Sequence, residues 1–274
     1  MSAHEGILGR YVDVKGTRTY YESAGDGDGM LCIHSAGRDS RQWHAYLERF
    51  SDRFRVAALD LPGHHKSWPM PGNHCIDTAD ELAAFLWSFT DAIGLKHPIL
   101  VGCSVGGDVT LLMAQQRPDQ VKALVVFDGA DNTARKQSEL LTSPHVSLVD
   151  YIYDKSLSQM GRGTAADIRQ FVAWNVRQTC REAQLADNNV FCTFDVRGGM
   201  EKITCPTLLV RGSDDFTVSK AAVEETAKRL TKAKLLENVE IQGAGHWSHQ
   251  EMPAEGCAAI ENFLKKMDAA GKGK

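Results

Sequence analysis

A serine flanked by glycines is the first feature of this sequence that could carry out chemistry. Residues 102–106 read Gly-Cys-Ser-Val-Gly; they follow the apolar run 99–101 and precede a helical pattern that begins near Gly107. In a tight turn from strand to helix, a serine is held exposed in a strained conformation, and small neighbours let the backbones pass. The motif therefore predicts that Ser104 is a nucleophile. The alternative interpretation is a glycine-rich helix start with a capping serine.

A base must be held beside that serine, because a serine hydroxyl alone is a poor nucleophile. The sequence has ten histidines. His246 differs from the others because it follows Gly245 on the predicted loop between the last strand and the last helix. We therefore predict His246 as the base. His249, three residues further on, is the alternative.

A carboxylate must in turn orient the imidazole and stabilise its charged form. Asp214 and Asp215 follow a predicted strand and precede the histidine, which gives the chain order Ser, Asp, His. Two adjacent carboxylates cannot both face one histidine, and the spacing from Gly212 favours Asp215. Asp214 and Asp128, the latter at the end of an earlier strand, remain the alternatives.

Acyl transfer at such a serine also needs backbone N–H groups that point at the developing oxyanion. One is expected from Val105, the residue after the nucleophile. The other is expected from Ala36, in the loop of residues 34–37 that follows the third predicted strand. The alternative interpretation of that loop is a simple turn with a capping serine.

Alternating strands and helices are predicted to position these residues. Apolar β-rich runs occur at 11–14, 17–23, 30–33, 55–59, 98–102, 123–127, 205–212 and 239–242. Helical spacing of apolar residues occurs at 78–93, 219–230 and 254–266. Such alternation predicts the α/β class, with a mostly parallel central sheet flanked by helices on both faces.

The strand pattern lapses between the sixth and seventh strands. From about residue 132 to residue 201 only polar-apolar mixtures occur, which fit amphipathic helices. We therefore predict a core formed by residues 1–131 and 202–274, with residues 132–201 inserted as a helical cap domain. Such a cap is expected to cover the edge where the core strands end, which is the usual place for a site in an open α/β sheet.

Five sequence blocks together resemble the α/β-hydrolase family, in its serine hydrolase branch, over residues 10–264. Residues 34–37 (H-S-A-G) approximate the family's H-G-x-G loop, and residues 60–67 (D-L-P-G-H-H-K-S) its D-x-x-G-x-G-x-S block. Residues 102–106 match the nucleophile elbow, and residues 212–215 (G-S-D-D) match G-x-x-D. Residues 245–253 (G-H-W-S-H-Q-E-M-P) match G-H-x-x-x-x-E-x-P in full. The resemblance implies a catalytic triad and an oxyanion hole at the positions named above.

Two positions depart from the family pattern. Ser35 replaces the glycine after the first histidine, which is expected to reshape the oxyanion loop or to add a hydroxyl to the pocket. His65 replaces the second glycine of the D-x-x-G-x-G block, so its bulk must be accommodated there. Neither change removes a catalytic group.

The resemblance implies hydrolysis of a small-molecule ester, lactone or amide through an acyl-enzyme, as in a serine esterase. A serine nucleophile disfavours the dehalogenase and epoxide-hydrolase branches, which use a carboxylate. Hydrolysis of a carbon–carbon bond, as in the meta-cleavage product hydrolases, remains an alternative, and so does acyl transfer to an acceptor other than water. An alternative of a different class is a small-molecule receptor that kept the triad but turns over slowly.

Substrate contacts are predicted from Ser35, Trp174 and Trp247. Other aromatic residues that could line an apolar pocket are Trp43, Trp68, Tyr151, Phe171, Phe191 and Phe194. Arg177 or Arg197 could meet a substrate carboxylate, although a solvated surface arginine is the alternative for each. The sequence does not identify the substrate.

Size and composition fit this interpretation. The chain has 274 residues, 43% of them hydrophobic and 24% charged, with a net charge of -4, so no nucleic-acid partner is expected. The start of the chain lacks the basic and apolar regions of a secretory signal, and the seven cysteines contain no C-x-x-C pair. We therefore expect a cytoplasmic protein without metal or organic cofactor and without a membrane partner, and leave a homodimer open.

Overall fold

The computed structural model describes residues 6–272. Residues 1–5 and 273–274, which the sequence assigns to the ends of the core, lie outside the described residues. The strands are β1 (Leu8–Val14), β2 (Thr17–Ala24), β3 (Asp28–Ile33), β4 (Phe54–Leu59), β5 (Ile99–Cys103), β6 (Ala123–Phe127), β7 (Thr207–Gly212) and β8 (Leu236–Ile241). The α-helices are α1 (His44–Phe50), α2 (Ala79–Ala92), α3 (Val105–Gln116), α4 (Leu148–Gln159), α5 (Ala166–Asn175), α6 (Arg181–Thr193), α7 (Lys220–Arg229), α8 (Ser248–Glu251) and α9 (Pro253–Lys272).

The eight strands form one sheet in the order β1-β2-β4-β3-β5-β6-β7-β8. β1 pairs antiparallel with β2, and β2 pairs antiparallel with β4. All other neighbours are parallel. This arrangement confirms the predicted α/β fold with a mostly parallel sheet.

Side chains of the central strands are buried on both faces of the sheet. Leu31 and Leu100 belong to a core on the face covered by α2 and α3. Cys32 and Val101, one residue further along the same strands, belong to the core on the opposite face, with α1 and α9. A strand covered on both sides has no need for polar residues, which is why these runs are apolar without alternation.

The described part of the chain has no strand between β6 and β7. That segment holds α4, α5 and α6, so its helical character agrees with the pattern in the sequence. The parallel strands β3, β5, β6 and β7 end at a common edge of the sheet, where the segments that follow them meet. Among the described residues, no helix is both long enough and apolar enough to cross a membrane.

Candidate active site

Ser104 lies in the turn between β5 and α3, with φ 55° and ψ -125°. This is a left-handed backbone that a serine adopts only where its surroundings hold it. Its amide donates to the Phe127 carbonyl at 2.9 Å. A Cβ on Gly102 would lie 2.2 Å from the Gly106 carbonyl oxygen, and one on Gly106 would lie 2.4 Å from the Ile33 carbonyl oxygen. Both glycines are therefore required by the close approach of backbone.

A chain of hydrogen bonds joins three buried side chains from three loops. The Nε2 atom of His246 lies 3.0 Å from Ser104 Oγ, and its Nδ1 atom lies 3.0 Å from Asp215 Oδ2. The other carboxylate oxygen, Asp215 Oδ1, accepts from the amides of Thr217 and Val218 at 2.7 and 3.2 Å. The carboxylate is thus anchored by its own loop, and it faces the imidazole with the remaining oxygen.

The alternative residues lie elsewhere. Asp214 forms an ion pair with Arg162 at the surface, 3.1 Å away, and the Arg162 backbone amide helps to lower the pKa of its carboxyl. His249 is fully buried and stacks on Trp43 with the ring centroids 4.3 Å apart. Burial lowers the pKa of His249 to about 3, and neither of its ring nitrogens has a hydrogen-bond partner among the described residues. His249 is therefore a neutral residue of the core.

Asp128, the third alternative acid, holds two loops together. Its Oδ1 accepts from the Gly212 amide at 2.9 Å, and its Oδ2 accepts from the amide and hydroxyl of Ser248 at 2.9 and 2.7 Å. Burial, together with the nearby charge of Asp215, raises the pKa of Asp128 well above its ordinary value. Asp128 therefore braces the loops that carry Asp215 and His246.

Glu251 explains the end of the closing sequence block. Its Oε2 accepts from the Gly245 amide at 2.9 Å, and its Oε1 accepts from the Trp247 amide at 2.9 Å. The residues on both sides of His246 are thus tied to one buried carboxylate. The amide of His246 itself donates to the Gln159 carbonyl at 3.0 Å. These bonds keep the imidazole in place.

The loop after β3 is held by a buried neutral histidine. His34 Nδ1 lies 2.9 Å from the Ser35 carbonyl oxygen, and its Nε2 accepts from the Leu61 amide at 3.0 Å, which fixes the tautomer. Burial lowers the pKa of His34 to about 4. Ala36 then borders the cavity beside Ser104, while Val105 is the first residue of α3 and its amide has no partner within the helix.

Both departures from the family pattern are accommodated. His65 has φ 43°, so it keeps a left-handed backbone of the kind that glycine favours, and its Nδ1 lies 3.2 Å from Asp60 Oδ2. Ser35 is buried, and its hydroxyl accepts from the indole N–H of Trp247 at 2.9 Å. The serine thus joins the loop of residues 34–37 to the residue that follows His246.

A small cavity of about 60 Å³ opens beside Ser104 and His246. Ser35, Ala36 and Trp247 form part of its wall, together with Phe191 of α6. Sequence reasoning missed the other lining residues, which are Arg38, Ile152, Lys155, Ser156, Gln159, Asn188 and Thr217. Most of them come from the helical segment, and no motif marks them. Only Arg38 could have been suggested by the sequence, because it directly follows the loop of residues 34–37.

The structure does not bring Trp174 to this cavity. Its side chain is 41% exposed on α5, with its ring 5.3 Å from the Arg41 guanidinium carbon. The buried residues around it are Val172, Ala173, Asn175 and Val176, so the helical period turns Trp174 outward. The prediction that Trp174 contacts the substrate is therefore corrected.

Other candidates from the sequence also lie outside the cavity. Arg177 pairs with Asp150 and Arg197 with Asp195 at the surface, so neither arginine is available to a ligand in the cavity. The aromatic candidates outside the cavity lining are Trp43, Trp68, Tyr151, Phe171 and Phe194.

Among residues 6–272, two groups of side chains lie close enough together to hold a metal ion, and both have other roles. Cys103, Asp128 and His249 form the first group, but burial raises the pKa of the Cys103 thiol well above its usual range and Asp128 already accepts three hydrogen bonds. Asp39, Asp60 and His65 form the second. There Asp39 pairs with an arginine and Asp60 accepts from backbone amides, so both carboxylates are already engaged.

Comparisons with known proteins agree with this geometry. The chain is 27% identical to the 2-(acetamidomethylene)succinate hydrolase of Mesorhizobium japonicum over 96% of this chain and 97% of that protein. It is 23% identical to the (E)-2-((N-methylformamido)methylene)succinate hydrolase of Acinetobacter baylyi, over 94% and 99% of the two chains. The crystal structure of the enol-lactonase from Burkholderia xenovorans shares the fold, with a TM-score of 0.80 at 20% identity over 93% of this chain and 100% of that chain.

The sequence profile described as "Alpha/beta hydrolase family" matches residues 30–260, which is well over half of the chain. Those residues include the elbow, the three hydrogen-bonded side chains and most of the sheet. The full-length relatives are themselves hydrolases of small molecules. The chain therefore belongs to the alpha/beta hydrolase family and is an enzyme that hydrolyses a small molecule.

Proposed function

We propose that this hydrolase cleaves a small-molecule ester, lactone or amide through an acyl-enzyme formed on Ser104. The observation that carries the proposal is the continuous hydrogen-bonded chain from Asp215 through His246 to Ser104, at the edge of a cavity. In this arrangement Ser104 is the nucleophile, His246 the base and Asp215 the acid that orients the base.

In the first step, Ser104 Oγ attacks the carbonyl carbon of the substrate while His246 Nε2 takes the hydroxyl proton. Asp215 Oδ2 accepts from Nδ1–H, which leaves Nε2 free to accept that proton and stabilises the imidazolium that results. The backbone amides of Ala36 and Val105 donate to the oxyanion of the tetrahedral intermediate. His246 then gives its proton to the leaving group, and the C–O or C–N bond breaks.

In the second step, His246 takes a proton from water, which attacks the acyl carbon. The second tetrahedral intermediate collapses, the acid is released, and Ser104 recovers its proton from His246. Residues 132–201 serve as a cap in this scheme, because α4 and α6 supply part of the cavity wall. Relatives that are hydrolases of substituted succinates support a small acyl substrate.

Replacing the nucleophile tests the proposal. We expect wild type to react with a fluorophosphonate probe and to hydrolyse short-chain esters. Ser104→Ala should lose both properties, with at least about a 10³-fold fall in kcat, because the residue's role is chemical and its loss leaves the fold intact. The matched control is Ser158→Ala, an exposed serine on α4.

Mass spectrometry of the labelled peptide and circular dichroism of each variant accompany the kinetics. Retention of more than about a thousandth of the wild-type activity in folded Ser104→Ala would contradict the assignment. Labelling at Ser104 without turnover of any ester, lactone or amide would instead favour the slow receptor over the hydrolase of acyl compounds.

A further inference from the structure

Arg38 is a fully buried arginine in the wall of the cavity beside Ser104. Its side chain is among the largest that the fold buries completely. The guanidinium carbon lies 4.8 Å from the centre of the Trp247 ring, and Nη2 donates to Ser156 Oγ at 2.7 Å. Nε and Nη1, which carry three N–H groups between them, have no hydrogen-bond partner in the described part of the chain.

The nearby carboxylates are engaged with other groups. Asp39 pairs with Arg41, 2.6 Å away, and also accepts from the Asn175 amide group at 2.9 Å. Asp187 accepts from His64 at 2.8 Å and from the Gly37 amide at 2.7 Å. Within residues 6–272, Arg38 therefore forms no ion pair, although it is surrounded by protein.

The charged side chains that line the cavity are basic. Lys155 also borders it, and no aspartate or glutamate of residues 6–272 does. Burial lowers the pKa of the Arg38 guanidinium to about 9, so the group still carries its charge at neutral pH. Two basic side chains thus line a space that, within residues 6–272, has no carboxylate in its wall, and the nearby Asp39 and Asp187 are hydrogen-bonded to other groups.

A buried charge without a partner is costly, and buried charges in proteins are normally paired. An arginine that lines a cavity and has three N–H groups without a protein partner is suited to a ligand that accepts hydrogen bonds and carries negative charge. A carboxylate has both properties, and it is small enough for a cavity of this size.

We propose that Arg38 binds a free carboxylate of the substrate, so that the preferred substrates are small carboxylate-bearing esters, lactones or amides. This inference rests on the proposed acyl-enzyme chemistry at Ser104. The carboxylate lies beside the oxyanion loop, because Arg38 follows Ala36 by two residues and borders the same cavity. Trp247 and Ser156 hold the guanidinium in place, and Lys155 adds to the attraction.

Matched ester pairs test the proposal without a chromogenic leaving group. Monomethyl succinate and methyl butyrate differ only in a carboxylate for a methyl group on the acyl side; acetoxyacetate and ethyl acetate differ in the same way on the alcohol side. Acid release is followed in a pH-stat. We expect wild type to prefer the charged member of at least one pair by tenfold or more in kcat/KM.

Variants then assign that preference to one residue. Arg38→Met should lower kcat/KM for the charged ester about 10²-fold and abolish the preference, because the buried counter-charge is gone. Arg38→Lys should keep part of the preference, since it retains the charge but not the planar fork. Arg41→Met is the matched control: this neighbouring arginine pairs with Asp39 and does not border the cavity, so the preference should persist.

Succinate binding gives a second readout that does not depend on turnover. Succinate should raise the Tm of wild type and of Ser104→Ala, and should not raise the Tm of Arg38→Met. Folding of Arg38→Met is not expected to suffer, because exchange of a buried unpaired charge for an apolar side chain is often neutral or stabilising.

Equal kcat/KM within both ester pairs in wild type would overturn the inference, as would a preference or a succinate-induced Tm shift that survives in Arg38→Met. If Ser104 were still labelled by the fluorophosphonate and the neutral esters were still hydrolysed, either result would contradict only the role of Arg38 and not the proposed acyl-enzyme function. Loss of labelling and of all turnover would instead be the failure of the proposed function.

Discussion

Neighbouring residues of one type have different roles in this site because their surroundings differ. Asp214 and Asp215 are adjacent, yet one pairs with an arginine at the surface and the other is buried against His246. His246 and His249 are three residues apart, yet one is hydrogen-bonded at both nitrogens and the other at neither. The sequence could rank these candidates by motif spacing, but only packing separates them.

Substitution of the two aspartates tests that separation. Asp215→Asn should lower kcat by about 10⁴-fold, because an amide in place of the carboxylate favours the wrong imidazole tautomer and no longer stabilises the imidazolium. Asp214→Asn should change kcat little, since it removes only a solvent-exposed ion pair with Arg162. Steady-state kinetics on one ester measures both. The reverse order of effects would move the orienting acid to Asp214.

At the scale of elements, helix α6 is hydrogen-bonded to the loop of residues 34–37, which carries the proposed oxyanion donor Ala36. Asp187 on α6 accepts from the Gly37 amide and from His64, and His64 lies in the loop after β4. Burial lowers the pKa of His64, but the charge and hydrogen bond of Asp187 outweigh that effect, and the pKa is raised overall. The helical segment between β6 and β7 therefore supports the backbone that carries Ala36.

Loss of these hydrogen bonds should affect catalysis because the loop that carries Ala36 is no longer held in place. Asp187→Ala leaves the buried Gly37 amide and His64 without their acceptor, so we expect a loss of about 1–3 kcal/mol in the free energy of unfolding. The loosened loop should lower kcat more than it changes KM, because the oxyanion forms only during reaction. Urea denaturation and ester kinetics measure the two effects.

Asp187→Asn serves as the conservative comparison, because its amide oxygen can still accept from the Gly37 amide. It should recover much of the lost kcat. If Asp187→Ala lost stability but kept the kcat of wild type, the helix would stabilise the fold without positioning the oxyanion loop.

At the scale of the whole molecule, the sheet was predictable from the sequence and the cavity was not. Runs such as residues 123–127 are buried on both faces, so their apolar pattern marks the strand directly, and the structure ends β6 at the same residue. The cavity wall instead combines a loop after β3 with α4 and α6, far apart in the chain. The prediction for Trp174 failed for this reason. An aromatic side chain suggested a pocket residue, but packing decides which face of α5 is buried, and Trp174 lies on the exposed face.

Acid should destabilise the whole fold through histidines that are buried in the neutral form. His249 has a folded pKa of about 3 and His34 of about 4, both below the ordinary value of 6.5. The unfolded chain therefore takes up these protons first as pH falls. Their stabilising contribution is fully present above about pH 6.5 and is lost progressively towards the folded pKa values. His64, with a raised pKa, acts in the opposite direction.

His249→Leu isolates one of these contributions, because the side chain makes no hydrogen bond and packs among aromatic rings. Between pH 7.5 and pH 5, the loss of stability should be smaller in this variant than in wild type by about 2 kcal/mol. That corresponds to about 4–8 °C in the change of Tm for a chain of this size. The readout is a difference between two pH values, so it does not depend on the absolute stability of the variant. The control is His145→Gln, at an exposed position, whose stability should show the wild-type pH dependence. An equal loss of stability between pH 7.5 and pH 5 in His249→Leu and in wild type would contradict the prediction, because it would mean that His249 takes up its proton without unfolding.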